Sequence, residues 1–355
     1  MYLYDLSPSE VAAVSDHVPE QCGQPHGGLV SSVEFTMEFV WDVLQNDGSD
    51  PRITRLLDRA DMIAVPMVGP DAYDISRRRV HEQKRKNCRM EAGEIPTRVE
   101  CEAPENEFLG VDLNRNYGAF WGGPGSNSPN PTSMYHQGEG PFSEPETQNM
   151  RELLASHQVT VAFNNHVPDR RLLRLPSAVN EPVLPDREKY DALAESIAEN
   201  FWRTTPWLRP DYSPASGTAE QSWYYAAGTF AYTPEAAPGF TGMDRYHPPY
   251  EYVIDQYFGT AEAPGCDPGN TCYEGSSHRE ALLLAYEAAG DRALHSVITG
   301  TAKPGGTTLT IEFFSTGVSA VTTEASTSAR SSFSRTSRRS PPIRPMCPAD
   351  SHGSS

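Results

Sequence analysis

Positive charge is scarce in this chain of 355 residues: 29 Lys and Arg stand against 47 Asp and Glu, a formal net charge of −18. A general nucleic-acid binder needs a basic face against the phosphates, so no nucleic-acid partner is expected. Adhesion to an anionic membrane surface is disfavoured for the same reason. No apolar run reaches the roughly 18–20 residues that a membrane-spanning helix needs. The opening MYLYDLSPSE has neither a basic n-region nor an apolar h-region, so it does not read as a signal peptide. No Cys-x-x-Cys pair suggests a zinc ribbon, and no internal repeat is present. Apolar residues reach only 37%, which still permits a core, while 27 Gly and 31 Pro imply long loops.

Six cysteines are present. Cys88 with Cys101, and Cys266 with Cys272, are close in sequence and sit in loop-like stretches, which reads as two small disulfides in an exported protein. Reduced thiols in a cytosolic protein are the alternative. Cys22 and Cys347 stand alone.

The pattern that is there is α/β. In residues 31–46, Val33, Met37, Val40 and Leu44 recur at helical spacing and predict a helix packed on that face. MIAVPMV (62–68), VTVAFN (159–164) and GTFAYT (228–233) read as buried strands. Residues 70–110 read as a long irregular excursion, of the kind that often carries function. Ser143 and Glu146 predict a capping box that opens a helix running to about Ser156. Residues 186–203 and 278–289 read as further helices. Strands alternating with helices imply a sheet covered on both faces. Residues 305–314 look like one strand of a β-unit, and the Ser/Thr/Arg/Pro-rich stretch after about Gly317 cannot bury enough apolar surface to fold.

Four segments could carry chemistry: His26 before the first helix, Asp112–Tyr117 after the excursion, His166 just past a strand, and Glu235 at the end of YTPE. Each alone is unremarkable, since a His or Glu at a strand end is more often structural. Together they supply imidazoles for an open zinc site, a carboxylate to take a proton from water, and an Asn-Arg pair to grip a substrate carboxylate. That combination describes an exopeptidase working at a peptide C-terminus.

GVDLNRNYGAFWGG (110–123) followed by GPFSEPETQ (140–148) resembles the signature of the zinc metallocarboxypeptidases, in particular the secreted bacterial members. EFTMEFVWDVL (34–44), DPRITRLLDRADMIAVPMV (50–68), KRKNCR (84–89), NNH (164–166), SGTAEQSWYYAAGTFAYTPE (216–235) and HREALLLAYEAA (278–289) keep the family's order. The resemblance implies a three-layer α/β/α fold with a mixed, mostly parallel twisted sheet. It implies a catalytic domain over 20–299, after a poorly matching segment 1–19; a β-unit stub at 300–317 and a disordered tail at 318–355 complete the reading. It implies Zn2+ held by His26 and His166, and Glu235 as general base, eighteen residues beyond Gly217 as in the family. Asn114 and Arg115 would hold the substrate carboxylate. An arginine of KRKNCR would stabilise the oxyanion: Arg89 if the chain bulges at Cys88, with Arg85 the alternative. Tyr212 lies near the family's mobile tyrosine, with Ser213 at the ungapped position, and Glu220 near the floor of the side-chain pocket. An acid there favours C-terminal Lys or Arg. Partners would be peptide or protein C-termini, met by an extracellular monomer.

One departure matters. Where the family carries His-x-x-Glu, this chain has His26-Gly27-Gly28-Leu29, and leucine cannot ligate a metal. A formal His-x-x-Glu lies upstream at His17 and Glu20. The departure leaves three accounts open: a family member with a weakened or replaced metal site, a non-catalytic relative that binds peptide C-termini, or a damaged reading frame around an intact middle.

Overall fold

The computed structural model describes residues 30–82, 84–89, 94, 96–166, 171–179, 181–202, 207–208, 214–235, 247–259, 277–294, 308–311 and 325–328. Helix α1 (Val30–Asn46) turns Phe35, Phe39 and Val43 into the core, four residues apart on one stripe. The stripe expected from the pattern, Val33, Met37, Val40 and Leu44, is only half-buried. The helix is apolar on two faces, and the aromatic one wins because it removes more area from water. Helix α2 (Pro51–Leu57) starts on Asp50, whose side chain accepts from the Arg52 N–H, with Pro51 in the first turn.

Residues 62–68 form no strand, contrary to expectation: Pro66 removes a ladder donor from the run, and Met62 alone is fully buried. The excursion is less irregular than it reads. It holds α3 (Pro70–Arg77) and α4 (Arg98–Glu102), the latter opened by a Thr97–Glu100 capping box. Cys88 and Cys101 are joined by a disulfide. Cys266 and Cys272 lie outside the described residues. Helix α5 (Pro145–Ser156) has its N-cap at Glu144, one residue later than the expected Ser143. No Ser143–Glu146 box forms: the Ser143 Oγ accepts from Asn116 Nδ2 at 2.8 Å and donates to the Glu144 carboxylate at 2.7 Å.

The sheet has four strands in the order β1-β4-β2-β3, made of β1 (Val161–Phe163), β2 (Arg171–Arg174), β3 (Trp207–Leu208) and β4 (Phe230–Glu235). β1 pairs parallel with β4 and β2 parallel with β3, while β2 and β4 are antiparallel. Side chains alternate across the sheet. Phe230 and Tyr232 join a core with α1, α6 (Arg187–Trp202), α8 (Tyr250–Phe258) and α9 (His278–Ala289). Ala162 and Ala231 face the other way, against Met150 of α5 and Trp223 of α7 (Ala219–Ala227). Helices thus cover both faces of a mixed sheet, an α/β fold.

The chain divides into two units, residues 1–297 and 298–355. In the second, β5 (Thr308–Ile311) and β6 (Ala325–Ser328) pair antiparallel. Residues 325–328 therefore take up a strand within the stretch read as unable to fold; the rest of that stretch lies outside the described residues.

Candidate active site

The carboxyl ends of β1 and β4 lie side by side. Beyond β1 the chain continues along β4: the Asn164 N–H donates to the Tyr232 carbonyl at 2.9 Å and the His166 N–H to the Pro234 carbonyl at 2.8 Å. This extension sets His166 opposite Glu235, with Nδ1 3.7 Å from Oε1. The intervening Asn165 donates to Thr36 Oγ1 at 2.9 Å, which ties the extension to α1.

Asn114 meets this pair from a separate loop. Residues Leu113–Arg115 form one short 3-10 turn, capped by Asp112, whose carboxylate accepts from the Asn114 N–H at 3.2 Å. The Asn114 Oδ1 accepts from the Ala219 N–H, at the start of α7, and from Asn164 Nδ2 (2.9 and 3.2 Å). With its oxygen so occupied, Asn114 turns Nδ2 toward His166 Nε2, 3.4 Å away. Close behind the turn lies Gly217, at φ +70°, where a Cβ would fall 2.6 Å from the Arg115 carbonyl. Only glycine suits both the conformation and the approach.

Arg115 is buried and its guanidinium donates to the Ser126 carbonyl, to the Asn114 carbonyl at 2.6 Å and to Ser126 Oγ at 3.0 Å. Of the two arginines weighed in KRKNCR, Arg85 reaches this cluster, donating to Asp112 Oδ2 at 2.7 Å. Burial opposes its charge, but Asp112, Tyr135 and Glu235 together raise its pKa. Arg89 is engaged elsewhere, 3.6 Å from the buried Glu144, which Asn87 and Ser143 also hold. The bulge that favoured Arg89 does not bring it to Asp112. Glu220 is buried in the first turn of α7, where the helix dipole favours a carboxylate. It accepts from Ser177 Oγ at 3.3 Å and lies 3.5 Å from Asn164 Nδ2, so one asparagine links it to Asn114.

The structure thus gathers Asn114, Arg115, His166, Glu220 and Glu235, adds Arg85, and leaves Arg89 apart. His26, Leu29, Tyr212, His17 and Glu20 lie outside the described residues. Asp112 and Asn164 lay in the segments singled out but were given no role, and Tyr135 was missed. An Asp just before a turn is a readable cap signal, and Asn164 stood in plain view beside His166, but nothing local marks Tyr135.

A zinc ion draws on three protein ligands in most catalytic sites. Among the described residues no group of three His, Cys, Asp or Glu could hold a metal. His166 has Nε2 3.4 Å from Asn114 Nδ2 and Nδ1 3.7 Å from Glu235, so a metal bound there would take one of these nitrogens from its neighbour. His26 and position 29, where the chain has Leu, lie outside the described residues.

The fold and site define an α/β protein whose polar cluster sits at the carboxyl ends of adjacent parallel strands, where such sheets bind ligands. The zinc carboxypeptidase family matches residues 21–254, and the chain belongs to it. It is 31% identical to mouse (Mus musculus) carboxypeptidase A2 over 156 residues, which is 44% of this chain and 34% of that protein. The match thus spans only about a third of the relative's length. Two solved structures share the fold. Thrombin activatable fibrinolysis inhibitor has a TM-score of 0.56 at 19% identity, covering 77% of this chain and 64% of that one. Carboxypeptidase A from Helicoverpa armigera has a TM-score of 0.53 at 19% identity, covering 76% of this chain and 60% of that one.

Proposed function

We propose that this chain is a metallocarboxypeptidase that hydrolyses the C-terminal bond of peptides and proteins outside the cell. The observation that carries the reading is the contact of Asn114 with His166 and with the N-terminus of α7, beside Glu235 and Arg85. Asn114 and Arg115 hold the substrate's terminal carboxylate, a planar anion suited to amide and guanidinium donors. Glu235 accepts the proton of the attacking water and passes it to the leaving amine. Arg85, kept charged by Asp112, faces the scissile carbonyl and stabilises the oxyanion. His26 and His166 would hold Zn2+, which when bound supplies Lewis acidity to the water and the carbonyl. Tyr212 would close over the bound residue. Glu220 favours a C-terminal Lys or Arg, whose cation it can pair. The Cys88–Cys101 disulfide supports an oxidising, extracellular setting.

A second reading, a relative that binds peptide C-termini without turnover, is favoured by Leu29 in place of a ligand. Zinc content of the purified protein separates the two, read beside amino-acid release from Arg-ended and Phe-ended peptides with and without a chelator. Zinc taken up at added free metal, with chelator-sensitive release that is faster on Arg-ended peptide, is the expected result, and a full zinc per chain as purified would point to a replacement ligand. No zinc and no release, with peptide still bound, establishes the second reading. Equal rates on both peptides remove Glu220 from specificity.

A further inference from the structure

Two guanidiniums meet on one ring. The Arg85 Cζ lies 5.3 Å and the Arg115 Cζ 5.2 Å from the centroid of Tyr135, within the roughly 6 Å reach of a cation–π contact. The backbone on either side of Tyr135 is fixed. Its carbonyl accepts from the Ser128 N–H at 2.9 Å, and the next carbonyl, of His136, accepts from the Asp112 N–H at 2.8 Å. Asp112 is also the partner of Arg85. From below, Lys86 anchors the same loop, its Nζ donating to the Pro131 and Ser133 carbonyls at 2.7 and 2.8 Å. Adjacent residues 85 and 86 therefore hold the ring and the loop beneath it. Tyr135 itself remains 37% exposed.

We propose that Tyr135 is a positioning residue whose ring sets the spacing and tilt of the Arg85 and Arg115 guanidiniums, keeping one at the scissile carbonyl and the other at the terminal carboxylate. This rests on the roles given to those arginines above. Arg115 is held at all three nitrogens by Ser126 and the Asn114 carbonyl, whereas Arg85 has one bond to Asp112; the ring that both contact ties the tilt of Arg85 to the fixed Arg115. Two like charges near one another also gain from the negative face of a π system.

The test compares Tyr135→Phe, Tyr135→Leu and Tyr135→Gln in the full chain, with two readouts. One is the Nε–Hε NMR signals of Arg85 and Arg115, assigned with Arg85→Lys and Arg115→Lys. The other is affinity for an Arg-ended peptide as free acid against the same peptide amidated at its C-terminus. The Phe variant should keep both ring-shifted signals and wild-type affinity. The Leu and Gln variants should lose both shifts and bind the free acid about three- to tenfold more weakly, between the exposed and the desolvated size of a cation–π contact. Their amide affinity and melting temperature should stay near wild type. Unchanged Arg signals in Tyr135→Leu or Tyr135→Gln overturn the proposal, as does a Phe variant that loses as much as either. If wild type binds acid and amide equally, the carboxylate reading fails, and the NMR comparison still decides whether Tyr135 orders the two arginines.

Discussion

Residues 84–87 sort their side chains by task. Arg85 points to Asp112, while Lys84 and Lys86 on either side are buried and anchor loops. The Lys84 ammonium donates to the carbonyls of Asn106, Glu107 and Leu109, at 3.2, 3.1 and 2.9 Å. Replacing it with Met keeps the stem and strands three acceptors, so Lys84→Met should cost about 1–3 kcal/mol in urea unfolding at neutral pH. The pH dependence has a definite sign. Burial lowers both amines from 10.5 to about 8. The folded chain sheds these protons first, so between those values the unfolded chain binds more of them and stability from these groups rises with pH; below the window the cost of burying charge is borne in full. Buried tyrosines such as Tyr190 and Tyr232, pushed up by burial, act oppositely from their ordinary 10.0 upward. The Lys84→Met deficit should therefore widen as unfolding is measured from pH 8 toward 10, and a deficit independent of pH would refute the shifted amine.

At the scale of elements, the site is a meeting of ends: two strand termini, a helix start and one short turn, pressed together at Gly217. Gly217→Ala puts a Cβ into the Arg115 carbonyl at a positive φ. The conformation alone costs about 1–2 kcal/mol, and the displaced turn carries Asn114 and Arg115, proposed above as the carboxylate clamp. Affinity for a free-acid peptide should fall by about tenfold or more, since small displacements of positioning groups are expensive; full affinity would show that the turn is not the clamp. The elements differ in how legible they were. Helix α9 was read to the residue, because its apolar period is regular and Ser277 caps it. Strand β4 was found but extends to Glu235, further than its apolar run. Strand β2 escaped notice, because RLLR is too short to show a period and exists through its antiparallel pairing with β4. The same limit governs the site. Asn114, His166 and Glu235 stood in a specific motif order and are neighbours in the fold, whereas the pairing of Arg85 with Asp112 and the contacts of Tyr135 join distant segments that no local pattern connects.

At the scale of the whole molecule, metal binding and folding are one equilibrium. A ligand that binds only the folded chain adds stability that grows with its affinity, about 2.7 kcal/mol at a hundred times its Kd. Zinc affinity therefore reads out in the melting temperature of the full protein, without any assay of turnover. The family match runs through position 29, where this chain has Leu. Two imidazoles alone make a weak site; a third ligand, a carboxylate, completes the set that a catalytic zinc uses. Leu29→Glu should thus raise the midpoint further than wild type at the same free zinc, and a chelator should cancel the difference. An equal rise in both proteins would mean that position 29 does not face the metal. In that event Glu20→Gln becomes the informative variant. If it removes the zinc-dependent rise from the wild-type chain, Glu20 holds the metal, and the carboxylate ligand has moved upstream rather than been lost.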